Sequence, residues 1–189
     1  LAPELGVFLS RARAMSPSGR CRTFDKNADG YVRGEGCVVL ALRRLSDAER
    51  AGDRILALVR GSAVRHDGHA SGLTVPNPTS QSAVIRAALE RAGVDPGEVS
   101  LIEAHGTGTP LGDPIEVRAL TEVFAGRNER LWLGSHKTNL GHLEAAAGIT
   151  GVLKVVLALG RGMIPPHLHL ETLNPDIDLA PLRAEIPDR

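Results

Sequence analysis

The chain has 189 residues and a mass of 20.0 kDa, the size of one domain or of part of a larger one. Its 22 basic and 22 acidic residues give a net charge of zero, which argues against a protein that binds nucleic acid through a broad basic surface. The two cysteines, Cys21 and Cys37, exclude a disulfide scaffold and a four-cysteine zinc site, and fit a reducing compartment. Apolar runs are too short for a membrane span. Because the chain starts with Leu1 and has no basic leader, we expect a cytoplasmic piece of a longer protein.

Apolar and β-branched runs predict buried strands, at 37–43, 55–64, 99–104 and 131–135. Between them, a short helical turn is expected from Ser46 to Gly52. Apolar spacing predicts a helix over 81–92 that ends at Gly93. This alternation favours an α/β layered fold with covered sheets.

Two further helices are predicted in the second half of the chain. One runs from Asp113, as the N-cap, to about Ala125, with Glu116 in its first turn; both acids are interpreted as helix caps. The other covers about 143–159. It keeps Gly148 and Gly151 despite a cost of roughly 1 kcal/mol per glycine, which predicts very close backbone packing there. After Gly160 the proline-rich chain is expected to be irregular.

Two glycine-rich loops each follow a predicted strand, precede a helix and carry histidine. The first loop reads EAHGTGTPLGDPIE and contains His105. The second reads GSHKTNLGHLEAAAG and contains His136, Lys137 and His142. Such loops are where α/β proteins place their sites, and histidine there can donate a hydrogen bond or exchange a proton near neutral pH. Spacing alone leaves open whether these are site loops or tight turns with hydrogen-bonded histidines.

The two loop sequences together resemble the β-ketoacyl synthase (ketosynthase) family of the thiolase-like superfamily. Collinear agreement extends over nearly the whole chain, through FDKNADGYVRGEGCVVLALRRLSDAERAGDRI, GLTVPNPTSQ and IPPHLHLETLNPDIDL. The motifs HGTGTPLGDPIE and KTNLGH together are similar to those in ketosynthase domains of type I modular polyketide synthases. The resemblance implies a thiolase-like layered αβαβα fold, incomplete here. It implies that residues 1–53 end the N-terminal half of a ketosynthase domain and that 54–189 form most of its C-terminal half.

The resemblance also implies roles for individual residues. His105 and His142 match the histidine pair that serves decarboxylation of a malonyl-type thioester, and Lys137 matches the active-site lysine that sets the electrostatics around them. Thr107 and Thr109 match hydroxyls that line the phosphopantetheine arm of the substrate.

The chain departs from the family at two places. The family's nucleophilic cysteine, in a TACSSS-like elbow, is missing; Cys37 is expected as an inert thiol opening a buried strand, and Cys21 as a more open, non-catalytic thiol. The glutamate that fatty-acid branches place nine residues after the second histidine is Gly151 here. Glu144 is a candidate replacement as the partner of Lys137.

Other site types fit the sequence less well. The segment DKNADGYVRGE places Asp25 and Asp29 as in a calcium loop, but position twelve is Gly36 rather than glutamate. The histidine pairs lack a third metal ligand nearby and are expected to be surface or hydrogen-bonded side chains: His66/His69 and His167/His169. Neither a nucleotide P-loop ending nor a serine-hydrolase elbow is present.

The resemblance therefore implies part of an acyltransferase that performs decarboxylative Claisen condensation in polyketide or fatty acid biosynthesis. No metal or redox cofactor is expected, since the phosphopantetheine belongs to the acyl carrier protein. Expected partners are that carrier protein, the other half of the ketosynthase domain, neighbouring synthase domains and, in the parent, a second copy. Nucleic acid and membrane are not expected. The alternative is a non-condensing ketosynthase-like domain, either a decarboxylase or a gating domain that binds carrier protein.

Overall fold

A computed structural model describes residues 3–68 and 76–188 of the chain. The helices are α1 (Pro3–Arg11), α2 (Leu45–Ala51), α3 (Pro78–Ala92), α4 (Gly112–Phe124), α5 (Lys137–Leu140) and α6 (Ala147–Arg161). Single 3-10 turns lie at Pro96–Glu98, Glu144–Ala146 and Ala180–Leu182. The strands are β1 (Leu101–Glu103), β2 (Leu131–Gly134) and β3 (Ala184–Glu185).

The three strands form one parallel sheet in the order β1-β2-β3. In the register of the first pair Glu103 lies opposite Gly134, so β1 and β2 end at the same edge of the sheet. The predicted strands at 99–104 and 131–135 correspond to β1 and β2. Sequence patterning missed β3, since it is two residues long and follows a proline-rich segment.

One face of the sheet is covered by α4. Alternation along β2 turns Leu131 and Leu133 toward this helix, and both are fully buried. They belong to a core whose other buried members are Phe24, Ala104, Val117, Leu120, Val123, Phe124, Ile177 and Leu182. Ile85 and Leu89 of α3 pack against it, which agrees with the predicted apolar face of that helix. We call this half of the molecule, the sheet with α4 and α3, the closed side.

The opposite face of the sheet meets α6. Glu103 and Gly134 point to that face, and Lys154 of α6 contacts both: its Nζ lies 2.7 Å from Glu103 Oε2 and 3.5 Å from the ideal Cβ position of Gly134. The outer surface of α6 is exposed, including Val152, Leu157 and Leu159.

The predicted strands at 37–43 and 55–64 are wrong for this chain. Both segments are extended, but no described residue pairs with them in a sheet. A strand needs a neighbour to accept its backbone hydrogen bonds, and these segments have none alongside. Their large side chains are accordingly exposed: Val39, Leu42, Ile55, Leu56, Leu58, Val59 and Val64. We call these two segments, with the outer surface of α6, the open side.

Helix boundaries differ from the prediction at several ends. The first turn of α2 begins at Leu45 rather than Ser46, whereas Gly52 does close it in the left-handed region at φ 69°. Asn77 caps α3 by accepting hydrogen bonds from two backbone N–H groups, so the helix starts earlier than residue 81. Asp113 is not the N-cap of α4, which begins at Gly112.

The predicted helix over 143–159 is interrupted at its start. Glu144 has a positive φ of 51° and opens a 3-10 turn, so the α-helical part begins at Ala147. Gly148 is exposed, with no atom within 4 Å of an added Cβ, so close packing there is wrong. It does hold at Gly151, where an added Cβ would lie 3.2 Å from Glu103 Cγ. Within the described residues, no helix combines the length and apolarity that a membrane crossing requires.

Candidate active site

The two histidine-bearing loops lie side by side because they leave neighbouring parallel strands at the same edge. The first follows β1 and carries His105; the second follows β2 and carries Lys137 and His142. The rings of His105 and His142 are 5.6 Å apart between centroids and nearly perpendicular, at 87°. The structure thus brings together the three residues that the sequence singled out.

Two carboxylates of α4 hold the first loop through its backbone. Glu116 accepts hydrogen bonds from the N–H groups of His105, at 2.7 Å, and Gly106, at 2.8 Å. Asp113 accepts from Gly108 at 3.1 Å and from Phe24 at 2.8 Å. The interpretation of both acids as helix caps is therefore wrong, because their oxygens bind distant backbone rather than the first turn of their own helix.

Glycine is required at the first turn of this loop. Gly106 has a φ of +47°, and a Cβ there would lie 2.6 Å from Thr23 Cγ2 and 2.8 Å from Ser135 Cβ. Thr23 also donates a 2.6 Å hydrogen bond to the Gly106 carbonyl. The glycine thus lets the His105 loop lie directly on its neighbours.

The start of the second loop is held by Glu103 from β1. Its Oε1 accepts hydrogen bonds from the backbone N–H and, at 2.8 Å, from ring Nδ1 of His136, which assigns the proton to Nδ1. Lys137 follows as the first residue of α5, with only 3% of its surface exposed. Lys137 forms no ion pair within residues 3–68 and 76–188.

His142 is fixed from both its backbone and its ring. Its N–H donates to the Val32 carbonyl at 2.7 Å, and its carbonyl accepts from Gly34 at 3.0 Å. Ring Nδ1 accepts from the Glu144 N–H at 2.9 Å, so the neutral ring carries its proton on Nε2. The ring of Tyr31 lies 4.8 Å away. His142 therefore presents an N–H donor in a fixed orientation.

The suggested pairing of Glu144 with Lys137 is wrong. Glu144 instead forms a bidentate ion pair with Arg33, with 2.9 Å contacts from both Nε and Nη2. This ion pair links the second loop to the segment around Arg33, which lies 111 residues earlier in the chain.

The electrostatics of the site keep both histidines neutral. His105 stays open to solvent at the cavity mouth, yet loss of surrounding water and then the charge of Lys137 lower its pKa from 6.5 to about 4. The same two causes lower the pKa of His142 to about 4. Burial lowers the pKa of Lys137, against the opposing charges of Glu116 and Glu103.

A cavity of about 530 Å³ joins these groups to the open side. Its polar part is formed by His105, Lys137, His142 and Glu103. Its apolar part is formed by one face of α6 and by the extended segment opposite: Val152, Val155, Val156, Leu159, Leu58 and Val59. A cavity with hydrogen-bond donors at its polar end and an apolar extension suits a ligand that has a carbonyl group and an apolar chain.

Thr107 and Thr109 lie outside the lining of this cavity. Their hydroxyls are 3.3 Å apart, and Thr109 Oγ1 accepts a hydrogen bond from Gly112 at 3.2 Å. Both are partly buried beside the start of α4.

The two cysteines occupy environments opposite to those expected. Cys21 is buried, its Sγ accepts from the Val32 N–H at 3.1 Å, and burial raises its pKa. Cys37 is exposed on an unpaired extended segment rather than in a buried strand. Neither thiol lines the cavity that holds the histidines. An unreactive, protonated Cys21 follows from its surroundings.

The alternative metal sites are occupied by protein contacts. Asp25 is fully buried and accepts from the N–H groups of Asn27, Glu171 and Thr172, so its carboxylate binds backbone. His167 is buried and hydrogen-bonded to Thr23 and Ser135. The prediction for His69 falls outside the described residues. Among those that are described, no group of three potential ligands gathers around a metal position.

Comparison with known proteins gives consistent matches along the chain. The β-ketoacyl synthase C-terminal domain profile matches residues 56–171, and the N-terminal domain profile matches residues 1–48. One subunit of the phenolphthiocerol/phthiocerol polyketide synthase of Mycobacterium tuberculosis is 55% identical over 191 residues, covering 100% of this chain and 10% of that protein. Another subunit of the same synthase is 53% identical over 188 residues, covering 98% and 9%.

Solved ketosynthases superpose closely on this structure. An oxazolomycin ketosynthase domain from Streptomyces albus has a TM-score of 0.95 at 43% identity, covering 99% of this chain and 33% of its own. The ketosynthase from module 6 of the bacillaene synthase of Bacillus subtilis has a TM-score of 0.95 at 38% identity, covering 100% and 34%. The predicted thiolase-like layered fold is confirmed as an incomplete one, since this chain spans about a third of each solved ketosynthase and a tenth of the curated relatives.

Proposed function

This chain belongs to the β-ketoacyl synthase family, as a partial ketosynthase domain, and we propose that the complete domain performs decarboxylative Claisen condensation in polyketide biosynthesis. An acyl group is carried as a thioester on a cysteine. A malonyl-type thioester on acyl carrier protein loses carbon dioxide, and the electron pair of the broken C–C bond becomes an enolate. The enolate carbon attacks the acyl carbonyl, the C–S bond breaks, and a β-ketoacyl thioester leaves with the carrier.

The observation that carries this proposal is the meeting of two neutral imidazoles at one cavity. Decarboxylation places negative charge on the thioester oxygen, and fixed N–H donors stabilise such charge in the transition state. His142 offers Nε2–H because its Nδ1 is occupied by the Glu144 N–H. His105 faces it across 5.6 Å. Lys137 lines the same cavity, and its positive charge disfavours protonation of both rings.

The loading cysteine is assigned to a part of the synthase outside these 189 residues. Cys21 is buried with a raised pKa, and Cys37 lies away from the cavity. We accordingly expect the isolated chain to be inactive in condensation. Incubating it with acyl and malonyl carrier-protein thioesters and analysing the product by mass spectrometry tests this; β-ketoacyl product would contradict it.

The remaining assignments follow the family resemblance. Thr107 and Thr109 serve the phosphopantetheine arm, which runs past the outside of the His105 loop. The carrier protein, the rest of the ketosynthase domain and a second copy of the synthase are the partners. The open side, whose apolar residues are exposed here, is where the rest of the domain packs. The reaction takes place in the cytoplasm without metal or redox cofactor.

The test uses the complete ketosynthase domain with His105→Ala and His142→Ala. Each variant should lose about 10²-fold or more of the rate of product formation, because one donor to the developing enolate is lost. Binding of malonyl carrier protein, measured by calorimetry, should stay within about twofold. Unchanged turnover in both variants would overturn the condensing assignment.

The alternative is a non-condensing ketosynthase-like domain, either a decarboxylase or a gating domain that binds carrier protein. A decarboxylase would release acetyl-thioester without extending the chain. A gating domain would bind carrier protein and form neither product. The same assay therefore separates the three functions by product.

A further inference from the structure

Glu103 is a buried carboxylate with partners on two elements. Its side chain is 9% exposed and points from β1 toward α6. Oε1 accepts from the backbone N–H and the ring Nδ1 of His136, and Oε2 lies 2.7 Å from Lys154 Nζ. Burial favours the neutral acid, but the hydrogen bonds from His136 and Lys154 and the charge of Lys154 more than offset this, so its pKa is lowered. Glu103 is therefore an anion at neutral pH.

This anion binds the residue that directly precedes Lys137 in the chain. His136 is the N-cap residue of α5, and Lys137 is the next residue. By binding both the N–H and the ring of His136, Glu103 fixes the backbone from which the Lys137 side chain departs. Glu103 and Lys137 also line the same cavity.

The approach of α6 explains why β1 provides the carboxylate. A Cβ on Gly151 would lie 3.2 Å from Glu103 Cγ and 3.7 Å from His136 Nδ1. Gly151 is buried within α6 and does not have a positive φ, so its helix conformation suits any L-residue. The volume between β1 and α6 thus holds one acidic side chain, from either element but not from both.

We propose that Glu103 is a positioning residue of the active site, whose carboxylate anchors Lys137 and keeps it charged, and that residue 151 is the alternative position for the same carboxylate. The proposal rests on the proposed condensing function for its kinetic consequence, but not for its structural one. A charged Lys137 in turn holds His105 and His142 in their neutral, hydrogen-bonding form.

Several titratable groups act on Lys137 besides Glu103. The acids and the thiol come from α4 and from the segment before it in the chain: Glu116, Asp113 and Cys21. The basic groups around it come from both site loops and from α6: His105, His136, His142 and Lys154. Glu116 and Glu103 contribute most to keeping Lys137 protonated, so removing either acid should lower the pKa of Lys137 further.

The test compares Glu103→Gln with the wild type in the complete ketosynthase domain. Competitive acetylation with acetic anhydride across pH, read by mass spectrometry of the Lys137 peptide, gives the pKa of this lysine whether or not the protein condenses. We expect a decrease of about one unit or more, and an equal shift of the alkaline limb of the pH–rate profile toward lower pH.

The double variant Glu103→Ala/Gly151→Glu returns a carboxylate to the same volume from α6. It should recover most of the lysine pKa and the wild-type position of the alkaline limb. Gly151→Glu alone should be impaired, because two acidic side chains then compete for one space. The matched control is Glu185→Gln. Glu185 is an exposed acid on β3 that pairs with Arg130, so its removal should leave the Lys137 pKa and the alkaline limb unchanged.

Two results would overturn the proposal. One is a Lys137 pKa that is the same in Glu103→Gln as in the wild type. The other is a double variant that folds, by circular dichroism, but keeps the shifted pKa. If Glu103→Gln does not fold, the double variant and Glu103→Asp decide the outcome by the same labelling. If the wild-type domain does not condense but the Lys137 pKa still falls in Glu103→Gln and recovers in the double variant, the result counts against the proposed function alone.

Discussion

The closed and open sides of this molecule both carry large apolar side chains, but these are buried on the closed side and exposed on the open side. On the closed side, Leu131 and Leu133 are fully buried between the sheet and α4. On the open side, Leu58 is 56% exposed, although it lies in the apolar run ILALV. The two regions differ in their neighbours. β2 has a strand on each side and is covered by α4, whereas no strand among the described residues lies beside residues 55–64. Apolar patterning therefore marks surface to be covered, and does not by itself say what covers it.

The largest effect should come from matched leucine truncations on the two sides of the complete domain. Leu133→Ala removes a fully buried side chain and should cost about 2–5 kcal/mol of unfolding free energy. If the rest of the domain covers the open side, Leu58→Ala should cost about 2 kcal/mol or more as well. Urea unfolding measures both. A cost for Leu58→Ala within about 0.5 kcal/mol would mean that this surface stays exposed in the complete domain.

A smaller loss is expected when the closed side is detached from the N-terminal segment. Asp113→Asn keeps the shape of the side chain but leaves one acceptor oxygen where Asp113 uses two, so the hydrogen bond from either Phe24 or Gly108 is lost. We expect a cost of about 1–3 kcal/mol by urea unfolding. Asp176→Asn, at an exposed acid, is a suitable control. An equal result for the two variants would contradict the role of Asp113 as a backbone clamp.

His105 and His142, which lie between the closed and open sides, should make both stability and activity depend on pH. In the folded protein the pKa values of His105 and His142 are about 4, below the ordinary 6.5. Protons therefore bind more tightly to the unfolded chain, and protonation of either ring destabilises the folded state. Their contribution to stability is complete above pH 6.5 and is lost as the pH falls toward 4. For the same reason, the acid limb of decarboxylation should lie below about pH 5. A limb near pH 6.5 in the wild type would show that the rings titrate as free histidines do.

The smallest effects should be at the thiols. Cys37→Ser, on the exposed open-side segment, should change stability by less than about 0.5 kcal/mol and leave turnover unchanged. Cys21→Ser, at a buried thiol near the second loop, should cost more stability but leave acylation of the synthase intact. Mass spectrometry of the acylated protein checks both. Loss of acyl loading in Cys21→Ser with the fold preserved would assign the nucleophile to this chain.

Local patterns predicted the longer elements whose neighbours are within this chain, and missed the two-residue strand β3. The apolar faces of α3 and α4 and the strands β1 and β2 follow from residue spacing, because each packs against another part of the same segment. The strands at 37–43 and 55–64 were wrong, since a strand is defined by its partner rather than by its own residues.

The site divides in the same way. Motif spacing brought out His105, Lys137 and His142, which the fold does place together. It missed Glu103, and it interpreted Glu116 as a cap, because what each carboxylate binds is set by contacts between distant parts of the chain. An acid directly before AHGTGT, at the end of a strand, was the available signal for Glu103.

The attachment of the second histidine to Val32 and Gly34 has a consequence for the order in which the protein folds. During synthesis, the segment around Tyr31 emerges long before the loop that carries His142, and the Arg33–Glu144 pair joins residues 111 positions apart. Closing so long a loop is slow and is rewarded only when both ends are in place. The contacts that hold His142 against Val32 and Gly34 therefore cannot form on a growing chain until residue 144 has been made.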